Sequence, residues 1–582
     1  MRLAMPSVRT GTAGPGNRHK WLALSNTTLG VLMATVNSSI VIISLPAIFR
    51  GIGLEPLRPG NIGYLLWMIM GYLVATSVLV VTFGRVGDML GRVRMYNAGC
   101  AIFTVASIGL ALVPGHGGTA ALELIGLRIV QGVGGALLMA NSTAILTDAF
   151  PVDQRGMAMG INQVAAIAGS FIGLILGGVL AEIDWRLVFW VNVPIGLLAT
   201  AGAYLGLRET AARRATATVD WWGNLTFAAG LIMLLVGITY GIQPYGGHTM
   251  GWTSPTVLTL LPGGLAMLAA FLVVERRVPR PMFHLELFRI RAFSAGNLAG
   301  LLASIARGGL QFMMIIWLQG IWLPLHGYSF ERTPLWAGIY LLPLTVGFLV
   351  AGPLSGWLSD RHGARPFATG GMVIAAVTFG LLELLPADFS YPVFALLLVV
   401  SGIGSGLFTA PNTAGIMNSV PAAQRGVASG MRATFQNSGF VLSIGLFFSL
   451  MIAGLASALP HTLQSGLTSN GVPAQVASRV ANLPPVGSLF AAFLGYNPVR
   501  TLLGPQVLGS LPPGRAAFLT GQTYFPQLIS GPFAHGLRIV FTAAAMLCLV
   551  AAVASWMRGG HYVHREEAEA AVHSHTEESM PA

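Results

Sequence analysis

Three arginines sit inside long apolar runs of this chain, at depths where a lone charge has no water to solvate it. Arg128 lies in "LELIGLRIVQGVGGA" (122–136), Arg307 in "LLASIARGGLQF" (301–312) and Arg432 in "GMRATFQNSG" (430–439). An arginine at membrane depth is costly and usually faces a partner or a polar cavity. Its chemistry is recognition rather than bond-making: a planar fork of N–H donors suited to an anionic or electron-rich group. Gln131, three residues after Arg128, shares its helical face, with Gly132 beside it. Arg307 falls about fourteen residues into a run that begins near Phe293, which is near mid-bilayer at 1.5 Å per residue. Asn297, Ser304, Arg307 and Gln311 then lie within about 80° of helical arc. Arg432 and Gln436 form a second polar pair, four residues apart. The first apolar run adds "ATVNSSIVIISLP" (34–46), where Asn37 shares a face with Asn26, Gly30 and Ser44. An amide there either lines a wet cavity or bonds between packed helices, and Arg307 either meets a substrate or ties neighbouring backbone carbonyls. No carboxylate accompanies these groups at mid-depth. Glu123, Asp148 and Glu383 are the nearest acids, and all lie close to run ends.

The elements that must position these residues follow from composition. The chain is 54% hydrophobic and only 9% charged, far below the roughly 25% usual for soluble domains. Apolar runs near 21–49, 62–83, 95–113, 119–147, 157–180, 187–207, 222–241, 256–274, 293–318, 335–357, 366–385, 391–416, 427–456 and 534–557 can each cross a bilayer. The expected class is an all-α polytopic membrane protein with fourteen spans and both termini on one side. Of the 32 Lys and Arg residues, 21 fall on that side and 7 on the other, which makes it the cytoplasm. The net charge of +12 is therefore scattered over short loops rather than gathered into a nucleic-acid surface. Cys100 and Cys548 lie inside spans and imply no disulfide framework. No phosphate-binding loop or dinucleotide fingerprint occurs, so no cofactor, metal or enzymatic activity is expected.

Two loops are repeated. "GRVGDMLGR" (84–92) matches "GWLSDRHGA" (356–364) at Gly84/Gly356, Asp88/Asp360 and Gly91/Gly363, an offset of 272. "FPVDQRGMAMG" (150–160) matches "VPAAQRGVASG" (420–430), with Arg155 paired to Arg425, an offset of 270. Six helices were therefore duplicated, and two more lie between the copies. The expected organisation is an N-terminal tail 1–20, a six-helix bundle 21–207, a linker 208–292 holding helices 222–241 and 256–274, a second bundle 293–557 and a disordered tail 558–582. Paired halves with a site between them are the usual build of secondary transporters. The stretch 457–533 is read as an external segment, either a cap or platform or a loosely ordered loop.

These residues resemble the major facilitator superfamily, specifically its fourteen-helix drug:proton antiporter branch. The resemblance rests most on Gly84-x-x-x-Asp88-x-x-Gly91-Arg92-x-Arg94, the superfamily's loop 2–3 signature. It implies a major facilitator fold of two pseudo-symmetric six-helix bundles plus two inserted helices. It implies a cytoplasmic gate at Gly84, Asp88, Gly91, Arg92, Arg94, Asp148 and Arg155, repeated at Asp360, Arg361, Arg365 and Arg425. Leu124, Arg128, Gln131, Gly132, Gly134 and Gly135 fit the family's helix 4 pattern, in which the arginine serves proton coupling. Gly169, Gly173, Gly177 and Gly178 fit the helix 5 antiporter motif, and "WRLVFWVNVPIG" (185–196) is similar to the same branch. Two positions depart from it. Leu174 stands where the family usually has Pro, and Asn37 stands where the branch usually carries a helix 1 Asp, with Ser39 for Thr. An amide cannot carry a proton near neutrality.

The expected function is a secondary exporter of multidrug type in the plasma membrane. It would move a small amphiphilic compound outward by alternating access, driven by protons and acting as a monomer in the lipid bilayer. Asn37, Arg307, Gln311, Arg432 and Gln436 are the expected cavity residues, with coupling at Arg128 and Gln131. Three arginines and no central acid favour an anionic or amphiphilic substrate over a bare cation. Export of a lipid, with 457–533 as platform, and a non-transporting sensor on the same fold are the competing expectations.

Overall fold

The computed structural model describes residues 17–55, 61–209, 220–279, 281–421, 424–482, 484–494 and 497–559, with the side chains of Arg155 and Asp360 outside the description. Among the described residues fourteen helices are long and apolar enough to cross a membrane. They are α1 (Arg18–Gly51), α2 (Gly63–Leu90), α3 (Arg92–Ala111), α4 (Gly117–Ala149), α5 (Met157–Ile183), α6 (Leu187–Gly206), α7 (Trp221–Gly241), α8 (Pro255–Arg277), α9 (Arg291–Leu325), α10 (Thr333–Ser359), α11 (Ala364–Glu383), α12 (Tyr391–Asn418), α13 (Val427–Ser469) and α14 (Tyr524–Trp556). No strand occurs among the described residues. In hydrocarbon every backbone N–H and C=O needs an internal partner, and a continuous helix supplies them all.

The duplication read from the loops is visible in the packing. In the first half α2 packs on α4, α3 on α4 and α1 on α5. In the second half the matching pairs do the same: α10 on α12, α11 on α12 and α9 on α13. Gly91 and Gly363 take corresponding positive φ values of 111° and 82°, where only glycine turns freely from one helix into the next. A close glycine-to-carbonyl contact between helices is duplicated too. A Cβ on Gly134 would stand 3.0 Å from the Gly99 carbonyl oxygen, and one on Gly404 would stand 2.8 Å from that of Gly371.

With fourteen spans, α1 begins and α14 ends on one face, the terminal face. On the opposite, far face the halves are tightly joined. Gln319 donates to the Ile43 carbonyl at 3.3 Å, and Arg332 pairs with Glu182 at 3.3 Å. A Cβ on Gly178 would lie 2.3 Å from Leu335 Cα, and one on Gly338 would lie 3.0 Å from the Leu174 carbonyl. Beyond α13 the chain is helical rather than a loose loop, with helices Ala474–Ala481, Pro485–Phe493, Val499–Ser510 and Pro513–Thr520. Pro485–Phe493 is wholly buried, and Phe490 stacks on Phe448 at 5.2 Å. α13 runs to Ser469 and α14 starts at Tyr524, so both reach further than their apolar cores suggest. Short apolar pieces separated by Pro and Gly look like a loop in sequence because each is too short to show helical periodicity.

The inserted helices α7 and α8 pack on one another, and α7 also leans on α2 and α13. The Thr82 hydroxyl donates to Asn224 Oδ1, and Arg85 donates to the Pro281 carbonyl, so the pair is tied to the terminal-face end of α2.

Candidate functional site

At the terminal face the first-half loop forms an ion cluster. Arg92 opens α3, and the turn at Gly91 points it back to Asp88: its Nε donates to Oδ1 at 2.8 Å. Its Nη1 reaches Asp148, near the end of α4, at 2.6 and 2.7 Å. The Arg92 side chain is 21% exposed, so the cluster fixes geometry more than it adds stability. Arg94 contributes its backbone N–H, which donates to Glu209 Oε1 at 3.0 Å. That carboxylate fills the space where a Cβ of Gly91 would stand, 2.4 Å away. Gly84 lies near Ala140, leaving α2 close to α4.

The second-half loop is built differently. Arg361 lies over the Trp357 ring at 4.0 Å and Arg365 over the Trp556 ring at 3.7 Å. Arg425 donates from Nε to the Met417 carbonyl at 3.2 Å. The expected pairing through Asp360, and the expected role of Arg155, lie outside the described side chains.

Inside the first half, Arg128 is 1% exposed and fully engaged. Its Nη1 donates to Gln131 Oε1 at 2.6 Å, its Nε to the Met68 carbonyl at 3.2 Å, and its guanidinium lies 4.5 Å from the Tyr72 ring. Gln131 also accepts from Asn37 Nδ2 at 3.2 Å and donates to Ser107 at 2.8 Å. Asn192 donates to Asn37 Oδ1 at 3.4 Å. Asn37 is 0% exposed. The question left open by the sequence, cavity or interhelical bond, has a geometric answer here: Asn37 is a joint between α1, α4 and α6. A buried cation stays without a carboxylate because a carbonyl, an amide oxygen and a ring face share its charge.

The glycines of α5 are contact points. Cβ atoms on Gly169, Gly173 and Gly177 would stand 3.1, 2.6 and 2.9 Å from the carbonyl oxygens of Leu32, Val36 and Ile40 on α1. Gly178 faces α10 across the halves instead. Leu174, in the place of the usual Pro, is 1% exposed, and its carbonyl meets Gly338 there.

The second half holds a partly open, polar-lined cavity between α9, α11, α12 and α13. Arg307, Arg432 and Gln436 line it together with Asn297, Ser304 and Thr413, and no acidic side chain is among the described lining residues. Arg432 donates to Gln436 Oε1 at 3.0 Å, while its Nε is buried without a partner. Neither Asn37 nor Gln311 lines this space, although Gln311 follows Arg307 by one turn of α9.

Four contributors were missed from sequence. Arg558 was assigned to a solvated tail, yet it is 5% exposed and donates to Asn412 Oδ1 at the cavity wall. Burial lowers it to about 10, still charged at neutral pH. Asn192 stood inside "WRLVFWVNVPIG", where its polarity amid apolar neighbours was a usable signal. Asp220 and Glu275 flank the inserted helices and carried no motif.

The described geometry has known relatives. The Major Facilitator Superfamily pattern matches residues 27–444. The chain is 28% identical over 549 residues to the tetracenomycin C resistance and export protein of Streptomyces glaucescens, covering 94% of this chain and 93% of that one. It is 31% identical over 527 residues to the cephamycin export protein CmcT of Amycolatopsis lactamdurans, covering 88% and 98%. Among solved structures, a bacterial homolog of the human lysosomal transporter Spinster, inward-facing and unoccupied, superposes with a TM-score of 0.51 at 16% identity, covering 93% of this chain and 97% of that one. With its duplicated six-helix packing and a match over most of its length, this chain belongs to the Major Facilitator Superfamily.

Proposed function

We propose that this chain exports a small amphiphilic compound across the plasma membrane by alternating access, with both termini in the cytoplasm and the proton gradient as its drive. The relatives named as antibiotic exporters support the direction and the class of cargo. The tight far-face junction supports a state in which the central path opens toward the terminal face, and the charge bias supports that face as cytoplasmic. One observation carries the reading of the site. Arg307 and Arg432 line a cavity with no described acid, and among the described residues no protein group hydrogen-bonds or ion-pairs with the Arg307 guanidinium. A charge left to a polar cavity suits a ligand that brings an acidic or strongly electron-rich group to an apolar wall formed by Met372, Phe408 and Phe435.

Transport into everted vesicles or proteoliposomes tests it, comparing amphiphiles of matched size that carry an acidic, a neutral or a cationic group. Uptake of the acidic member, coupled to proton movement and lost in Arg307→Ala, is the expected outcome. Equal uptake of all three by that variant would remove Arg307 from the substrate site.

A further inference from the structure

Asp220 sits just before α7, and its Oδ1 caps the helix by accepting from the Gly223 N–H at 2.8 Å. Glu275 lies in the last turns of α8, and its Oε2 accepts from the Phe283 N–H at 2.9 Å. Each carboxyl is thus pinned by one oxygen. The other two, Asp220 Oδ2 and Glu275 Oε1, have no partner although the residues are only 5% and 3% exposed. Both orphan oxygens face the same glycine. A Cβ on Gly223 would stand 2.4 Å from the first and 2.7 Å from the second, which caps their separation at about 5 Å. Two buried carboxyls at that range cannot both carry charge without a cost that a shared proton removes.

We propose that Asp220 and Glu275 form a binding site for one proton, and that its occupancy couples the inserted helices to the gate loop of α2. The proton comes from terminal-face water, bonds to one orphan oxygen and is accepted by the other, and returns to water on release. No other bond changes.

The surrounding charges decide what occupancy does. From α2, Arg85 reaches over the pair to the Pro281 carbonyl, with Asp88 beyond it. From the segment after α8 come His284 and Glu286. Burial, and then Arg85, hold His284 below the usual histidine range, so it stays neutral near pH 7. Arg276 and Arg277 follow Glu275 on its own helix. With one proton the pair has a single negative charge, matched by Arg85, and α7, α8 and α2 are held together. Without it the pair has two charges, which repel each other and draw Arg85 away from Pro281. Arg85 lies three residues before Asp88, so a pull on that guanidinium acts on the helical turn that carries Asp88, the partner of Arg92. By linkage, a gate position that pulls Arg85 toward the pair must in turn favour proton release.

The test uses the purified full chain in lipid nanodiscs and needs no substrate, so it is independent of the export reading. Infrared difference spectra between about pH 5 and pH 9 should show one protonated-carboxyl band, lost in both Glu275→Gln and Asp220→Asn. Both variants keep the folded bonds: Gln still accepts from Phe283, and Asn remains a good helix cap. Spin-label distances between the ends of α2 and α8 should shift with pH in the unmodified chain and stay fixed in both variants. A band that survives in either variant, or a pH-dependent distance change that persists without the pair, would overturn the proposal.

Discussion

The two halves share a fold and a packing scheme but spend their buried arginines in opposite ways. In the first half the Arg128 guanidinium is held by Gln131, the Met68 carbonyl and the Tyr72 ring. In the second, Arg307 faces a cavity and Arg432 keeps Nε unpaired. A charge satisfied by protein is a joint, and removing it breaks bonds that hold neighbouring helices. A charge left to a cavity is, on the proposed function, a binding group, and its removal should leave the fold intact. The duplication supplied one scaffold twice, and polar side chains enclose the arginine of one copy while those of the other line a cavity.

The largest expected effect breaks the joint. Arg128→Met removes the cation that bridges Gln131 Oε1, the Met68 carbonyl and the Tyr72 ring, where each charge-assisted hydrogen bond contributes about 1.5–3 kcal/mol. Thermal unfolding in detergent, followed by loss of monodisperse protein, should shift strongly downward, and export should fall with it. Arg307→Ala should behave in the opposite sense. Its unfolding curve should stay near that of the unmodified chain, while uptake of an acidic amphiphile falls about 10–100-fold, the worth of a charge-assisted contact of about 1.5–3 kcal/mol. Arg307→Lys should recover part of it by restoring charge without the planar fork. If both arginines lost stability alike, the contrast between the halves would fail.

A third substitution sharpens the first-half side. Asn37→Asp restores the acid usual in the resembling branch, but inside a network already occupied by Gln131 and Asn192. The new carboxylate would sit one amide away from Arg128. Export in the variant should acquire a steeper dependence on pH and a greater tolerance of cationic amphiphiles. A pH profile unchanged from that of the parent chain would leave position 37 as packing alone.

Much of this was legible in the chain, for identifiable reasons. Length and apolarity of the runs define fourteen spans because a bilayer accepts only closed backbone hydrogen bonding. The repeated loops reveal the duplication because Gly91 and Gly363 must both adopt positive φ, which few other residues do. The network around Arg128 was half legible: Gln131 shares its helix, whereas Asn37 lies 94 residues from Gln131 and Asn192 lies 155 residues from Asn37. Periodicity reports which face a residue occupies but not which helix comes to meet it. That is why Asn37 was grouped with Arg307, and why Arg558, Asp220 and Glu275 went unnoticed. The helix Pro485–Phe493 was hidden for another reason: nine residues are too few to show a pattern, and only packing against Phe448 and Phe312 defines it.

The terminal-face loops repeat the contrast at lower energy. Asp88, Arg92 and Asp148 form ion pairs exposed by about a fifth to a quarter, whereas Arg361 and Arg365 rest on Trp357 and Trp556. Exposed ion pairs contribute roughly 0–1 kcal/mol and weaken with salt, while a guanidinium over an indole is less screened. Asp148→Asn keeps the shape of the first cluster and removes one charge, so stability should change by less than about 1 kcal/mol. The rate of gate movement, read from spin labels on α2 and α4, should rise modestly at low salt and converge with that of the parent chain at high salt. Trp556→Ala should instead give a change that persists at high salt, since it removes the ring under Arg365 rather than a screened charge. Two loops of common origin would then respond to ionic strength in different ways, and the difference would trace to the Asp148 carboxylate on one side and the Trp556 ring on the other.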